Sequence, residues 1–307
     1  MSAPSHPRSL FVAGPTAVGK SEIALELAEK VGGEIISVDS MQVYRGLDIG
    51  TAKPGAAERK RIPHHLIDVA GLTESFDAAK FVVLAEKAAA EIQSRGRTPI
   101  FCGGTGLYFN AYLSGLGETP AANPELRAEL ERLPFETLLH ELRERDREAY
   151  GKIDKQNPRR VIRAVEAIRL TGKKFSEQRA DWHSAGRTAE VGVLWCFIRP
   201  TAELHERIVA RVDEMFRRGL VEETRELLKR GLEENQTAMQ AIGYRQVVEH
   251  LRGERDLGQT IELVKRRTRQ LAKRQLTWFR RYGNCRWIEL KRRESMTKNF
   301  AEIISAR

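Results

Sequence analysis

The stretch Gly14-Pro15-Thr16-Ala17-Val18-Gly19-Lys20-Ser21 fits G-x-x-x-x-G-K-[ST]. It lies between an apolar tetrad, Leu10 to Ala13, and an amphipathic run from Ser21 to Val31. Strand, glycine-bearing loop and helix, in that order, is the context in which this spacing makes a P-loop. Its glycines let successive backbone N–H groups face one concavity, and the helix N-terminus adds partial positive charge. Lys20 adds a full charge, and the Ser21 hydroxyl can hold Mg²⁺. Together these favour a pyrophosphate-like anion. The loop alone leaves open whether the bound phosphates are transferred, hydrolysed or expelled.

The same alternation continues along the chain. Glu34 to Val38 reads as a second buried strand, Phe76 to Ser94 as a helix rich in Ala, Glu and Lys, and Thr98 to Cys102 as a strand ending in Gly103 and Gly104. Alternation of this kind predicts an α/β fold, a P-loop NTPase-like parallel sheet flanked by helices. From about Gly117 to Gly186, Pro120, Pro124 and Pro134 punctuate a charge-dense stretch without strand character, read here as an inserted all-helical domain. Within it Asn157 can cap a helix, Pro158 suits the first helical position, and Val161, Ile162, Val165 and Ile168 form an apolar stripe before Gly172. Strand character returns over Glu190 to Ile198. Two long helices are expected over His205 to Lys229 and Thr260 to Tyr282, and a last short strand over Arg286 to Leu290. The expected division is a discontinuous core, 1–116 with 188–307, interrupted by a helical domain over 117–187.

Lys and Arg exceed Asp and Glu by ten, which makes a polyanionic partner likelier than for an average chain without choosing the polyanion. No run of 18 apolar residues offers a membrane span, and Met1 to Arg8 lacks the apolar core of a secretory signal. The three cysteines, Cys102, Cys196 and Cys285, are odd in number and far apart, and are read as reduced thiols. The expected location is the cytoplasm.

Carboxyl ends of strands carry the ligand crevice in open α/β sheets, so Asp39, just past the second strand, is expected beside the phosphate loop. It is a candidate general base; a helix N-cap or a magnesium ligand are the alternatives. Gly103-Gly104-Thr105-Gly106-Leu107-Tyr108 carries no acid where an NTPase often places one, and Thr105 puts a hydroxyl at the rim. Between Gln259 and Tyr282 stand eight basic residues, Lys265, Arg266, Arg267, Arg269, Lys273, Arg274, Arg280 and Arg281, against one acid, Glu262. Ile261, Val264, Leu271 and Trp278 would pack one side on the core, leaving cations for phosphates or simply for solvent. Trp278, Phe279 and Tyr282 suit either base stacking or core packing. A second basic cluster is Arg159, Arg160 and Arg163, and Arg199, Arg207 and Arg211 flank the returning strand. His64 and His65 lack a spaced ligand set and are not read as a metal site. Trp182 and His183 receive no role.

Eight collinear motifs then carry a resemblance across most of the chain. They are GPTAVGKS at Gly14 to Ser21, SVDSMQVYRGLDIGTAKP at Ser37 to Pro54, PHHLID at Pro63 to Asp68, and GGTGLY at Gly103 to Tyr108. NPRRVIRAVE at Asn157 to Glu166 and LHERIVARVDEMFRRGL at Leu204 to Leu220 follow, with QAIGYRQ and RQLAKRQLTWFR nearer the end. In these the chain resembles the tRNA dimethylallyltransferases, the tRNA isopentenyltransferase or IPP transferase family. That resemblance implies transfer of a dimethylallyl group from dimethylallyl diphosphate to N6 of the adenine 3′-adjacent to the anticodon, with release of diphosphate.

On that resemblance Gly14, Pro15, Thr16, Ala17, Val18, Gly19, Lys20 and Ser21 hold the departing diphosphate, Ser21 with Mg²⁺. Asp39 is the general base, and Lys20 and Arg211 support the leaving group. Asp39, Ser40, Met41 and Gln42 meet the flipped adenine, while Thr105 and Arg127 contact tRNA. Further tRNA segments are Gln156, Asn157, Pro158, Arg159 and Arg160; Gln240, Ala241, Ile242, Gly243, Tyr244 and Arg245; and Lys273, Arg274, Gln275, Leu276, Thr277, Trp278, Phe279 and Arg280. The implied partners are the tRNA anticodon stem-loop and dimethylallyl diphosphate, met by a monomer, with the two substrates in a channel between Asp39 and Lys20. Ser21 stands where threonine is commoner, which preserves the hydroxyl. The rival readings are a free-adenylate prenyltransferase or small-molecule kinase, and a non-catalytic nucleotide-dependent RNA-binding protein. A free-nucleotide enzyme has little need of the cationic helix.

Overall fold

The computed structural model describes residues 9–117, 119–178, 193–283, 285–290 and 303. Six parallel strands form one sheet: β1 (Leu10–Ala13), β2 (Gly33–Val38), β3 (His64–His65), β4 (Thr98–Gly103), β5 (Leu194–Ile198) and β6 (Cys285–Glu289). Their order is β3-β2-β4-β1-β5-β6. β1 and β2 are buried at every position, Glu34 and Ser37 of β2 included, as in strands covered by helices on both faces.

The chain divides into two compact units, Met1–Leu113 with Ala185–Arg307, and Ser114–Ser184. In the sheet-bearing unit the helices are α1 (Lys20–Val31), α2 (Ala56–Arg61), α3 (Ala78–Ser94) and α4 (Gly106–Ser114), the last reaching one residue past its boundary. The smaller unit holds α5 (Pro124–Arg132), α6 (Phe135–Arg145), α7 (Arg147–Lys152), α8 (Pro158–Thr171) and α9 (Phe175–Gln178). After β5 the sheet-bearing unit continues with α10 (Thr201–Arg217), α11 (Leu220–Lys229), α12 (Tyr244–Leu251) and α13 (Leu257–Arg280). Separate apolar clusters lie on the two sides of the sheet, one around Phe81, Phe101 and Tyr44, the other around Ile23, Trp195 and Ile208.

The smaller unit packs around Leu130, Leu138, Leu142, Val161 and Val165. Asn157 caps α8 by accepting the Arg160 N–H, Pro158 follows, and Gly172 closes the helix in the left-handed region at φ 71°. Glu166 is buried yet satisfied, because it accepts from the Asn123 N–H and pairs with Arg127 and Arg163 at 2.7 Å each.

Two expectations need correction, and one element was not expected. The helix expected over His205 to Lys229 is two helices, broken where Gly219 adopts φ 97° between α10 and α11. The core face of α13 is Thr260, Val264, Thr268, Ala272 and Phe279; Ile261, Leu271 and Trp278 are only partly buried. Thr260 and Thr268 enter that face because each hydroxyl donates to the carbonyl four residues back. β3 is an added edge strand, its two histidines paired with Ile35 and Ile36. Trp182 and His183, and the first residues expected of the fourth strand, lie outside the described residues.

Candidate active site

Strand register assembles the site. Ala13 pairs with Gly103, and Val38 pairs with the same Gly103, so the residues that follow, Gly14, Asp39 and Gly104, emerge side by side at the carboxyl edge. A Cβ at Gly103 would lie 2.0 Å from the Val38 carbonyl oxygen, so only glycine lets β4 come this close to the strand that delivers Asp39.

The phosphate loop is braced from behind. Ala17 sits at φ 62°, a conformation a non-glycine residue holds only when its surroundings enforce it. Arg207 Nε donates to the Ala17 carbonyl and Arg199 Nε to the Val18 carbonyl, each at 2.8 Å. Lys20 Nζ donates to the Pro15 carbonyl at 2.6 Å. Burial pushes the Lys20 ammonium down to about 8; Cys102 opposes that shift, Arg211 deepens it, and Asp39 opposes it. Arg211 is likewise held below the usual guanidinium value by burial, with Asp39 opposing and Arg207 adding to the effect. These half-buried cations stand by the loop without a full complement of counter-charge, an arrangement that favours an incoming anion.

Asp39 is fixed through one oxygen. Its Oδ1 accepts the N–H groups of Met41 at 2.8 Å and Gln42 at 3.3 Å, an Asx turn that leaves Oδ2 to act on something else. Thr105 Oγ1 accepts the Ser40 N–H at 3.1 Å, tying the GGTG turn to this loop.

A cavity of about 210 Å³ gathers residues from distant parts of the chain: Thr16, Asp39, Ser40, Met41, Thr105, Arg211, Gln240, Ala241, Ile242, Arg274 and Gln275. Asp39 is the one carboxylate in its lining. Residues not expected at the site complete it: Gly50, Thr51, Val212 and Met215, with Val264 and Leu271, expected only as core-facing residues of α13. The sequence signal for the apolar ones is amphipathic periodicity, which marks residues as apolar without saying whether they face core or cavity. Gly50 and Thr51 are held by Glu223. Its carboxylate accepts the Ile49 N–H at 3.0 Å and the Tyr244 hydroxyl proton at 2.5 Å, and Tyr244 in turn accepts the Gly50 N–H. Thr51 then turns its carbonyl to Arg211 at 3.3 Å.

Several expected contact residues are otherwise engaged. Gln42 accepts from the Ser37 hydroxyl and donates to the Thr51 and Ala52 carbonyls, so its amide shapes the loop. Tyr244 and Phe279 are fully buried and hold their segments without offering a surface. Trp278, half-buried, packs on Gly106, where a Cβ would lie 2.2 Å from the indole ring, and Tyr282 is buried. Arg127 is paired with Glu166. Gln156, Pro158, Arg159 and Arg160 are exposed in the smaller unit. On α13, Lys265 is paired with Asp213 and Glu262, whereas no carboxylate among the described residues pairs with Arg266, Arg269, Lys273, Arg274 or Arg280.

Comparison with known proteins decides the family. The family described as IPP transferase matches residues 42–282. The chain belongs to the IPP transferase family. It is 46% identical over 286 residues to tRNA dimethylallyltransferase 1 of Trichlorobacter lovleyi, covering 92% of this chain and 93% of that one. It is 47% identical to tRNA dimethylallyltransferase 2 of Syntrophus aciditrophicus, with 92% of each covered. Among solved structures, the tRNA isopentenylpyrophosphate transferase of Bacillus halodurans superposes with a TM-score of 0.70 at 40% identity, covering 97% of this chain and 94% of that one. A eukaryotic dimethylallyltransferase acting on tRNA superposes with a TM-score of 0.79 at 28% identity, covering 96% and 77%. The P-loop precedes the matched segment, while Asp39 stands just before it and Arg211, Thr105 and the α13 cations fall within it. No helix among the described residues is long and apolar enough to cross a membrane, and no group of three His, Cys, Asp or Glu there could hold a metal ion.

Proposed function

We propose that this IPP transferase moves a dimethylallyl group from dimethylallyl diphosphate to N6 of the adenine 3′-adjacent to the anticodon of tRNA. The adenine amino nitrogen attacks C1 of the donor as the C1–O bond breaks. The electron pair of that bond leaves with the diphosphate, and the N6 proton passes to Asp39 Oδ2. An aromatic amine is a weak nucleophile, so the rate depends on stabilising the negative charge that develops on the leaving group. Lys20, Arg211 and the loop N–H groups supply that stabilisation. The apolar lining residues Val212, Met215, Val264 and Leu271 suit the isoprenoid chain, and Asp39 to Met41, in the same cavity, suit the base. Ser40, Thr105 and the Gln240 to Arg245 segment frame the adenine, and the exposed α13 cations Lys273, Arg274 and Arg280 follow the tRNA backbone. The smaller unit, with Arg159 and Arg160, serves as a second tRNA-contacting domain.

Mg²⁺ fits this site as a passenger of the diphosphate. The loop offers a hydroxyl, Ser21, and the described residues hold no multidentate carboxylate set, which suits an ion that keeps waters and takes most of its ligands from phosphate oxygens. Bound there, Mg²⁺ would neutralise charge on the departing diphosphate. The enzyme is read as a monomer working in the cytoplasm.

The observation that carries the reading is the convergence, in one cavity, of the phosphate loop, a half-buried arginine, a single carboxylate and apolar side chains, with a helix on which Arg266, Arg269, Lys273, Arg274 and Arg280 have no carboxylate partner among the described residues. A kinase reading finds no acid at the end of β4, which closes in Gly103 and Gly104. A free-adenylate prenyltransferase leaves the α13 cations without a task. Incubation with unmodified tRNA, Mg²⁺ and dimethylallyl diphosphate, followed by nucleoside mass analysis, tests the proposal. It predicts one adenosine per tRNA heavier by a C₅H₈ unit. Prenylation of free AMP with unchanged tRNA would assign the activity to the free-nucleotide class.

A further inference from the structure

The side chain of Gln275 stands out on α13 because it turns away from the exposed cations on either side of it in sequence. Its Oε1 accepts the backbone N–H of Thr16 at 2.8 Å, and its Nε2 donates to the Gly104 carbonyl at 3.0 Å. The orientation is self-consistent, since rotating the amide by half a turn would set oxygen against carbonyl and nitrogen against N–H and lose both bonds. Room for this approach is built in. A Cβ at Gly104 would lie 2.4 Å from Gln275 Nε2, and one at Gly106 would lie 2.2 Å from the Trp278 ring. The glycines of the GGTG turn therefore seat the final turns of α13, and Gln275 is the point at which that helix touches the phosphate loop.

We propose that Gln275 is a positioning residue for the diphosphate loop and not a tRNA contact. The inference rests on reading that loop as the diphosphate cradle. Thr16 directly precedes Ala17, whose left-handed backbone is braced on the other side by Arg207. Gln275 fixes the near end of the same turn, so the loop is clamped between α10 and α13 and holds its curl before any anion arrives. A preformed cradle binds without having to order itself.

The test uses the full-length chain with Gln275→Met, which keeps length and volume but neither hydrogen bond. Its companion is Gln275→Glu, which keeps the acceptor for Thr16 but sets a carboxylate oxygen against the Gly104 carbonyl. Inorganic pyrophosphate with Mg²⁺ is titrated by calorimetry, tRNA affinity is read by filter binding, and steady-state constants are measured with dimethylallyl diphosphate. The proposal expects pyrophosphate Kd and donor KM to rise about tenfold in Gln275→Met, the order expected when one sheltered N–H loses its acceptor. In Gln275→Glu the loss is larger, because a negative charge now borders the anion site. In both variants kcat at saturation and tRNA Kd stay within about twofold, a split that a general packing defect or a lost RNA contact would not give. Unchanged or tighter pyrophosphate binding in both variants overturns the proposal, as does a loss confined to tRNA affinity. Failure of the wild-type chain to bind pyrophosphate would overturn the cradle reading and the inference together.

Discussion

Lys20 gives the most quantitative prediction. Its ammonium is sheltered beside Arg211 and its value sits near 8 in place of 10.5, with burial as the main cause. The folded value lies below the unfolded one, so folding disfavours the charged form. That cost is fully present below pH 8 and disappears as pH rises from about 8 to 10.5, so this group stabilises the empty protein as pH rises through that window. Anion binding reverses the sign, because a diphosphate beside Nζ favours the charged form.

If only the protonated lysine binds tightly, apparent Kd scales as one plus ten raised to the power of pH minus pKa. With a pKa of about 8, affinity falls roughly tenfold between pH 7 and pH 9, whereas a value of 10.5 would change it by a few per cent. A saturated alkyl diphosphate is the suitable ligand, since it cannot react and its phosphate ionisations lie lower, near pH 6. Calorimetry at pH 7, 8 and 9 in buffers of different ionisation enthalpy should show both the fall in affinity and proton uptake on binding near pH 8 to 9. A Kd flat to pH 9 without proton uptake would show that Lys20 is not held in this depressed state, and the electrostatic argument for the loop would fail with it.

Asp39→Asn keeps an oxygen that can accept the Met41 and Gln42 N–H groups, so the turn should survive while the base is lost. Single-turnover transfer should drop by about 10² or more with tRNA Kd unchanged, and an unaltered rate would remove Asp39 from proton transfer. Arg211→Ala removes a half-buried cation from the cavity that Asp39 lines; the chemical step should slow by about 10² while tRNA affinity changes little. The reverse pattern would reassign Arg211 as an RNA contact. Charge reversal of Lys273 and Arg280 together, exposed α13 cations outside the cavity lining, should weaken tRNA binding and flatten its log–log salt dependence by roughly 0.7 to 0.9 for each lost phosphate contact. Diphosphate affinity should hold, and tRNA affinity indifferent to both changes would leave α13 as a merely solvated face.

Much of the site was legible because chemistry and spacing coincide at the loop. GPTAVGKS announces its own strand and helix, and Val38-Asp39 announces a carboxylate at a strand end, so register had only to bring the two together. Asn157, Pro158 and Gly172 marked the limits of α8 through backbone chemistry that needs no tertiary partner. Features that depend on what faces what were not legible. Thr260 and Thr268 bury their hydroxyls by bonding back along α13, which moves the core face away from the obvious apolar residues. Gly219 reads as one glycine in a charged run until its positive φ splits the helix. Arg199 and Arg207 look like solvent-facing arginines, yet both serve loop carbonyls from a helix and strand end nearly two hundred residues away in sequence. Gln275 sits in a run of cations, and only the side-chain direction separates its partners from theirs. The buried positions of Tyr244, Phe279 and Tyr282 follow the same rule: an aromatic in a basic segment fits stacking or packing equally well until its neighbours are known.

The loop as a trap for a departing group can be tested at the bond that breaks. Dimethylallyl diphosphate labelled with ¹⁸O at the oxygen bridging C1 and the α-phosphorus is turned over with unmodified tRNA, and the inorganic product is weighed by mass spectrometry. Cleavage between C1 and that oxygen places the label in released diphosphate, one equivalent for each prenylated adenosine. Label retained with the organic fragment, or phosphate appearing on an acceptor, would mean that the loop serves transfer at phosphorus and that the account is wrong at its centre.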